Sequence, residues 1–146
     1  MDTPELVCSS CGRTYTDQWR CECGGVLDFA HQPLPTSDRP DPDQLDTRDG
    51  LWSFDMFLSV EEGPSLGEGM TPLVSSATWD AEYKLEYISP TGSFKDRGAT
   101  TTISHAIACG ADRVVEDSSG NAGAAIATYA ARAGLDAEIY VPASVK

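Results

Sequence analysis

The sequence predicts an α/β fold with a parallel sheet, preceded by a small cysteine-rich module. Two observations predict it: strand and helix patterns alternate in the last third of the 146-residue chain, and four of its five cysteines lie within residues 1–30. A strand, a helix and a second strand of these lengths form a βαβ unit, whose strands run parallel. One such unit is too small to cover both faces of a parallel sheet, so we expect the chain to be part of a larger α/β domain.

The charge of the chain restricts its partners. Acidic residues outnumber basic ones by 23 to 10, which gives a formal net charge of -13 and disfavours nucleic acids and anionic membranes as partners. No apolar run approaches the roughly 20 residues of a membrane span, and the N-terminus lacks the pattern of a secretory signal. We therefore expect a cytoplasmic protein. Abundant Asp with only three Lys favours adaptation to high salt over a merely acidic composition.

The cysteines of residues 1–30 form a C-x-x-C pair and, nine residues later, a C-x-C pair. Two pairs across a short hairpin suit a tetrahedral metal ion, and Gly12, Gly24 and Gly25 permit tight turns after each pair. The second pair is shorter than the commoner C-x-x-C. Disulfides and free thiols are the alternatives, although disulfides are not expected without an export signal. We predict a structural zinc ribbon whose ligands are Cys8, Cys11, Cys21 and Cys23.

Residues 31–66 are rich in Pro, Asp and Gly and are predicted to form an extended acidic linker. Within the linker, residues 51–54 and 56–58 form a local apolar cluster. We expect this cluster to fold as a short helical turn and to pack on the main body.

Residues 67–146 are rich in Ala and Gly and carry the alternating elements. Glycines at positions 110 and 134 are expected to end the two helices. The predicted elements are a strand at 83–87, a helix at 93–109, a strand at 113–116, a helix at 122–133 and a strand at 137–141. Cys109, alone near a helix end, is predicted to be a small buried apolar residue.

The string S-P-T-G-S-F-K-D-R-G (89–98) places Lys95 at the start of a helix, behind a turn. The partial positive charge of a helix N-terminus disfavours an ammonium group. It therefore favours the neutral, nucleophilic amine that a Schiff-base lysine requires. The alternative is an ordinary surface lysine in a first helical turn.

A second motif, D-S-S-G-N-A-G (117–123), lies between a predicted strand and a predicted helix. Successive backbone N–H groups at such a position form an anion-binding site. Ser118 and Ser119 add hydroxyl donors, and Asn121 offers an amide donor for a phenolate-type oxygen. The alternative is a well-capped helix of any βαβ fold. The dinucleotide-binding pattern G-x-G-x-x-G is absent.

These two strings, in this order, resemble the pyridoxal-phosphate enzymes of the tryptophan-synthase β-like fold, also called fold type II. The string L-G-E-G-M-T-P-L (66–73) and the cysteine module resemble, within that group, the threonine synthase family. The resemblance covers essentially the whole chain and is sharpest over residues 66–146. It implies an N-terminal part of that fold, preceded by the zinc ribbon.

The resemblance also implies roles for individual residues. Lys95 matches the lysine that binds pyridoxal 5′-phosphate covalently and later shuttles protons. Phe94 matches the aromatic residue beside the cofactor ring, and Asn121 the asparagine that binds the cofactor 3′-oxygen. Lys84 matches a lysine that helps to bind the substrate phosphate. The residues that match the loop for the substrate carboxylate are Ser118, Ser119, Gly120, Ala122 and Gly123.

The implied activity is that of a lyase that converts O-phospho-L-homoserine and water to L-threonine and phosphate, with an amino acid as its small-molecule substrate. Family members are longer and carry their cofactor-phosphate loop beyond the matching region, so we expect the 146 residues alone to be an inactive fragment. Ser89 stands where the family usually has Asn, and we expect little effect. The alternatives are a threonine or serine dehydratase, a cysteine or cysteate synthase, and a non-catalytic zinc-ribbon module with a vestigial α/β tail.

Overall fold

A computed structural model of the chain describes residues 5–16, 18–31 and 41–145. Its strands are β1 (Leu6–Cys8), β2 (Thr14–Tyr15), β3 (Leu27–Phe29), β4 (Leu73–Ser75), β5 (Glu82–Lys84), β6 (Arg113–Asp117) and β7 (Asp136–Tyr140). Its α-helices are α1 (Lys95–Ala108) and α2 (Asn121–Ala133), and short 3-10 segments span Pro42–Gln44, Thr47–Phe57 and Glu86–Ile88. Among the described residues, no helix combines the length and the apolar character that a membrane span requires.

The N-terminal module is a three-stranded antiparallel sheet in the order β2-β1-β3. Both cysteine turns depend on glycine: Gly12 and Gly24 have positive φ angles of 71° and 85°. A Cβ on Gly25 would lie 2.7 Å from the Cys8 Sγ, so no larger residue fits there. The expectation that these glycines permit tight turns is confirmed.

The expected linker is partly ordered. Its apolar cluster lies in the 3-10 segment Thr47–Phe57, as predicted, and Trp52 is 4% exposed. The segment kinks at Gly50, where φ is 59° and a Cβ would lie 2.2 Å from the Glu68 carbonyl oxygen. Close approach of this segment to the 66–73 loop therefore requires glycine. Residues 32–40 of the predicted linker lie outside the described residues.

The α/β part is built on the parallel pair β6 and β7, with α2 as the crossover between them. Helix α1 packs against α2. The core between these elements consists of Ala99, Ile103, Ala125, Ile126, Tyr129 and Ala130. Small residues on both helices let the backbones approach closely. The predicted strand–helix–strand order and the glycine stops at Gly110 and Gly134, both with positive φ, are confirmed.

Two details differ from the sequence predictions. The strand predicted at 83–87 ends at Lys84, because β4 opposite it starts only after Pro72 and the chain then turns through Glu86–Ile88. Proline lacks the N–H that a longer ladder needs. Cys109 is exposed instead of buried. It lies six residues after Ile103, about 240° around the helix from the buried stripe, and its Sγ is 3.5 Å from the His105 Nε2.

Candidate functional site

The turn before α1 is held by a buried carboxylate. Asp96 is 0% exposed and accepts hydrogen bonds from the Thr91 N–H, at 2.8 Å, and from the Thr91 hydroxyl. The Ser93 hydroxyl accepts the Lys95 N–H at 3.3 Å. Gly92 has a φ of 84°, which favours glycine in this turn. These hydrogen bonds therefore hold the backbone at Lys95 in place.

Lys95 lines a cavity of about 170 Å³ between α1, α2 and β6. Its Nζ lies 4.8 Å from the centroid of the Phe94 ring, a distance typical of a cation–π contact. Phe94 itself is 55% exposed. The other residues around the cavity are Gly98, Ala99, Thr102, Glu116, Ala122 and Ile126.

The cavity joins the two motifs found in the sequence. Lys95 comes from the first motif and Ala122 from the second. Asn121, the first residue of α2, precedes Ala122 and is exposed. The lysine and the N-terminus of α2 therefore meet at one place in the fold.

In the loop before α2, some polar groups form hydrogen bonds within the loop and others have no partner among the described residues. The Ser118 hydroxyl accepts the N–H groups of Gly120 and Gly123 at 3.2 and 2.9 Å, so it caps the helix. Within the described part of the chain, the N–H groups of Asn121 and Ala122 have no acceptor. These two donors are oriented as first-turn helical N–H groups and can bind an anion.

Gly123 is a packing position. A Cβ there would lie 2.7 Å from the Ile139 Cγ2 and 3.1 Å from the Ser118 Cβ. Ser119 and Gly120 are exposed. Ser118 and Gly123 were both predicted to hold the substrate carboxylate. In the structure, Ser118 also caps α2, and Gly123 also lets α2 pack closely on β7.

Lys84 lies outside this cavity. It is on β5, where its Nζ donates to the Thr71 carbonyl oxygen at 2.6 Å. The structure therefore connects Lys84 to the 66–73 loop and does not place it beside Lys95.

Sequence reasoning missed the residue that ties this loop to α1. Arg97 donates to the Gly69 carbonyl and the Glu86 carboxylate, and at 3.3 Å to the Thr71 hydroxyl. The Arg97 guanidinium holds the pKa of the Glu86 carboxyl below its usual range. The signal available in the sequence was the position of Arg97, two residues after Lys95.

A second missed residue is Glu68, which is 1% exposed. Its carboxylate accepts four hydrogen bonds, from the Trp52 indole N–H (3.2 Å), the Ser65 hydroxyl (3.2 Å), the Leu66 N–H (2.9 Å) and the Tyr129 hydroxyl (2.8 Å). These bonds join the 3-10 segment, the 66–73 loop and α2. Burial, and next the bond to Glu68, raises the pKa of Tyr129.

The four predicted metal ligands converge. The Sγ atoms of Cys8, Cys11, Cys21 and Cys23 lie within 4.8 Å of one another. The Cys8–Cys23 and Cys11–Cys21 sulfur distances are 3.6 and 3.5 Å. Sulfurs bound to zinc at about 2.3 Å in a tetrahedron are about 3.8 Å apart, so the donor set fits a closed tetrahedral ion.

Tyr15 was not predicted at this site. Its hydroxyl lies 3.2 Å from the Cys21 Sγ and receives the Glu22 N–H at 3.4 Å. The hydrogen bond from Tyr15, and next that from the Cys23 N–H, lower the pKa of the Cys21 thiol to about 6. A thiolate is the form that binds metal.

Comparison with known proteins adds an independent finding. Residues 64–146 match the model of a family described as "Pyridoxal-phosphate dependent enzyme". The chain is 35% identical to threonine synthase of Methanocaldococcus jannaschii and 34% identical to that of Methanosarcina acetivorans, over 92% and 94% of its length. It is 44% identical to threonine synthase of a Synechocystis species over 53% of its length, which is 22% of that relative. The chain spans 37% of each of the two archaeal relatives.

Proposed function

We infer that this chain, which belongs to the family of pyridoxal-phosphate-dependent enzymes, supplies the lysine-bearing part of a threonine synthase. The enzyme would convert O-phospho-L-homoserine and water to L-threonine and phosphate. The observation that carries the proposal is the cavity at which Lys95 meets the N-terminus of α2. The similarity to threonine synthases over more than nine-tenths of the chain supports it.

The residues around the cavity fit pyridoxal phosphate in two respects. Lys95 offers a primary amine beside open space, and Asn121, the exposed first residue of α2, offers a side-chain amide that can donate to an anionic ring oxygen. When bound, this cofactor supplies an electron sink for negative charge on a substrate carbon.

The chain's own residues would position the cofactor and the substrate and would hold a proton. The Lys95 Nζ would attach the cofactor and later hold a proton. The Asn121 side chain would donate to the cofactor ring oxygen, and Phe94 would pack near the cofactor ring. The loop that carries the open N–H groups at the start of α2 would receive the substrate carboxylate; its residues are Ser118, Ser119, Gly120, Ala122 and Gly123. Ser118 and Gly123 shape this loop by capping and packing.

Turnover by the complete protein that carries this chain tests the proposal. Phosphate release and threonine formation are measured with O-phospho-L-homoserine, and parallel assays use threonine and O-acetylserine. We expect turnover only with the first substrate and its loss in Lys95→Ala. Preferential turnover of threonine or O-acetylserine would assign the chain to a dehydratase or a cysteine synthase. The 146 residues alone are expected to give no turnover.

Lys84 has a separate proposed role in binding the substrate phosphate. Its bond to the Thr71 carbonyl keeps it on the 66–73 loop, so this role requires the loop to border the substrate. Lys84→Ala is then expected to raise the KM for O-phospho-L-homoserine and to leave covalent capture of the cofactor unchanged. An unchanged KM would contradict the role.

We further propose that Cys8, Cys11, Cys21 and Cys23 hold a structural zinc ion and that residues 1–30 form a separate module, followed by a linker at 31–66 and the catalytic part at 67–146. With four thiolates bound, zinc has no open position for catalysis. Metal analysis should find one zinc per chain. Cys21→Ser should abolish binding, and Cys109→Ser, the same substitution outside the cluster, should preserve it. Zinc retained in Cys21→Ser would contradict the site.

We also propose that the protein is cytoplasmic and adapted to high salt. The excess of acidic residues and the metabolic character of the proposed reaction support this.

A further inference from the structure

Glu116 faces the cavity from the sheet. Along β6, Val114 and Glu116 are half-buried, whereas Arg113, Val115 and Asp117 are exposed. Side chains alternate between the faces of a strand, so Glu116 lies on the same face as Val114, which packs against the core between the helices. Its side chain lines the same cavity as Lys95 and Ala122.

Glu116 has no visible role in the fold. Within the part of the chain that the structure describes, no hydrogen bond or ion pair involves its carboxylate. A half-buried carboxylate without a partner is unfavourable. A carboxylate that shares a cavity with a lysine is a candidate partner for the ammonium group of that lysine.

Lys95 is the cation that shares this cavity. Of the residues that line it, only Lys95 and Glu116 carry a charge. The neighbouring charges on α1 are engaged elsewhere, Asp96 with Thr91 and Arg97 with Glu86. No charged residue lies in the first turn of α2.

We propose that Glu116 is the positioning residue for the Lys95 amine. Its carboxylate stabilises the protonated Nζ and draws it from the Phe94 ring into the cavity whenever the amine is not bonded to the cofactor. This inference rests on the proposed function of Lys95. The carboxylate attracts the ammonium group, whereas the N-terminus of α1 repels it. Glu116 thereby offers the exposed Lys95 a charged partner inside the cavity, in addition to the Phe94 ring.

The proposal predicts effects of opposite sign on two steps. Covalent capture of pyridoxal phosphate requires the Lys95 Nζ to leave the Glu116 carboxylate, so Glu116→Gln should capture the cofactor about 3-fold faster at neutral pH. Turnover requires the released amine to be held in the cavity, so kcat should fall about 3-fold, with the KM within about 2-fold of wild type. A merely structural defect would slow both steps.

The experiment uses the complete protein that carries this chain, freed of cofactor. It is mixed with pyridoxal phosphate, quenched with borohydride at successive times, and the reduced Lys95 peptide is quantified by mass spectrometry. Glu116→Asp, which keeps the charge, should stay close to wild type. Glu138→Gln is the matched control, because Glu138 pairs with Val115 and lies on the opposite face of the sheet.

The outcomes separate this inference from the proposed function. Absence of capture at Lys95 in the wild-type protein would contradict the proposed function. Wild-type capture with an unchanged or slower rate in Glu116→Gln would overturn the role of Glu116 alone. Equal effects of Glu116→Gln and Glu138→Gln would also overturn it, because the effect would then come from net charge and not from the cavity.

Discussion

At the scale of single residues, the position of Lys95 depends on Asp96, whose buried carboxylate binds the Thr91 N–H and hydroxyl. A hydrogen bond to a charged group contributes about 1.5–3 kcal/mol. Thr91→Val keeps the side-chain shape and removes the hydroxyl. We expect it to lower the free energy of unfolding in urea by about that amount.

The control for this change is Thr128→Val on α2, where an exposed hydroxyl donates to the Ala124 carbonyl at 2.8 Å. Water replaces that bond, so the loss should stay below about 1 kcal/mol. Equal losses at positions 91 and 128 would show that Asp96 does not depend on Thr91.

The pair Tyr129 and Glu68 gives a pH-dependent prediction. Burial and Glu68 raise the pKa of Tyr129 above its ordinary 10.0. Above pH 10 the unfolded chain therefore loses this proton while the folded chain keeps it, so the stabilising contribution is intact below pH 10 and falls as the pH rises further. Tyr129→Phe removes the group that titrates. In urea, the Tyr129→Phe variant should have a lower free energy of unfolding than the wild type at pH 7, and the gap between the two free energies should narrow above pH 10. A gap that stays constant with pH would contradict this.

Sequence reasoning reached the residues whose motifs are local and missed those whose partners are distant. Lys95 and the four cysteines stand in short strings with recognisable chemistry. Glu68 and Tyr129 are 61 residues apart, and although Glu68 lies in the string 66–73, nothing in that string indicates its hydrogen-bond partners. Ser118 was predicted as a ligand because a hydroxyl before a helix can bind an anion. The structure shows that this hydroxyl also caps α2, and its role as a ligand stays a prediction.

At the scale of elements, two helical glycines behave differently. A Cβ on Gly98 in α1 would meet no atom, whereas one on Gly123 in α2 would lie 2.7 Å from the Ile139 Cγ2. Gly98→Ala should therefore raise the stability by about 0.5–1 kcal/mol. Gly123→Ala should lower it by about 1–3 kcal/mol, because α2 must move away from β7. Thermal or urea unfolding of both variants tests the pair, and the same sign for both would contradict the packing.

The helices and the parallel strands were predictable because their apolar spacing and glycine stops are strong. The ends of these elements were harder to predict. Helix α1 begins at Lys95, two residues after the predicted start, because Ser93 and Phe94 belong to the turn that Asp96 stabilises. The strand predicted at 83–87 was too long because its partner strand is limited by Pro72, which cannot be read from the strand itself. Cys109 was assigned to the core because its residue type outweighed its helical position.

At the scale of the whole molecule, the cysteine module packs beside the α/β part. A cavity of about 360 Å³ lies between them, lined among others by Leu6, Phe29, Phe57 and His105. No sequence motif spans both parts. Their placement could not be predicted, although each part was recognised separately.

The net charge of -13 gives a prediction for the whole molecule. Repulsion among carboxylates opposes the compact state, and salt shortens the range of that repulsion from about 10 Å at 0.1 M to about 3 Å at 1 M. The temperature of unfolding should therefore rise as KCl increases from about 0.1 M to about 1 M. A constant or falling temperature would contradict adaptation to high salt.

The most direct test of the account is the identity of the lysine that binds the cofactor. The complete protein is incubated with pyridoxal phosphate, reduced with borohydride, digested and mapped by mass spectrometry. The cavity between α1, α2 and β6 predicts a single modified side chain, Lys95, and its loss in Lys95→Ala. Modification chiefly at Lys84, or stoichiometric binding that survives Lys95→Ala, would contradict the account.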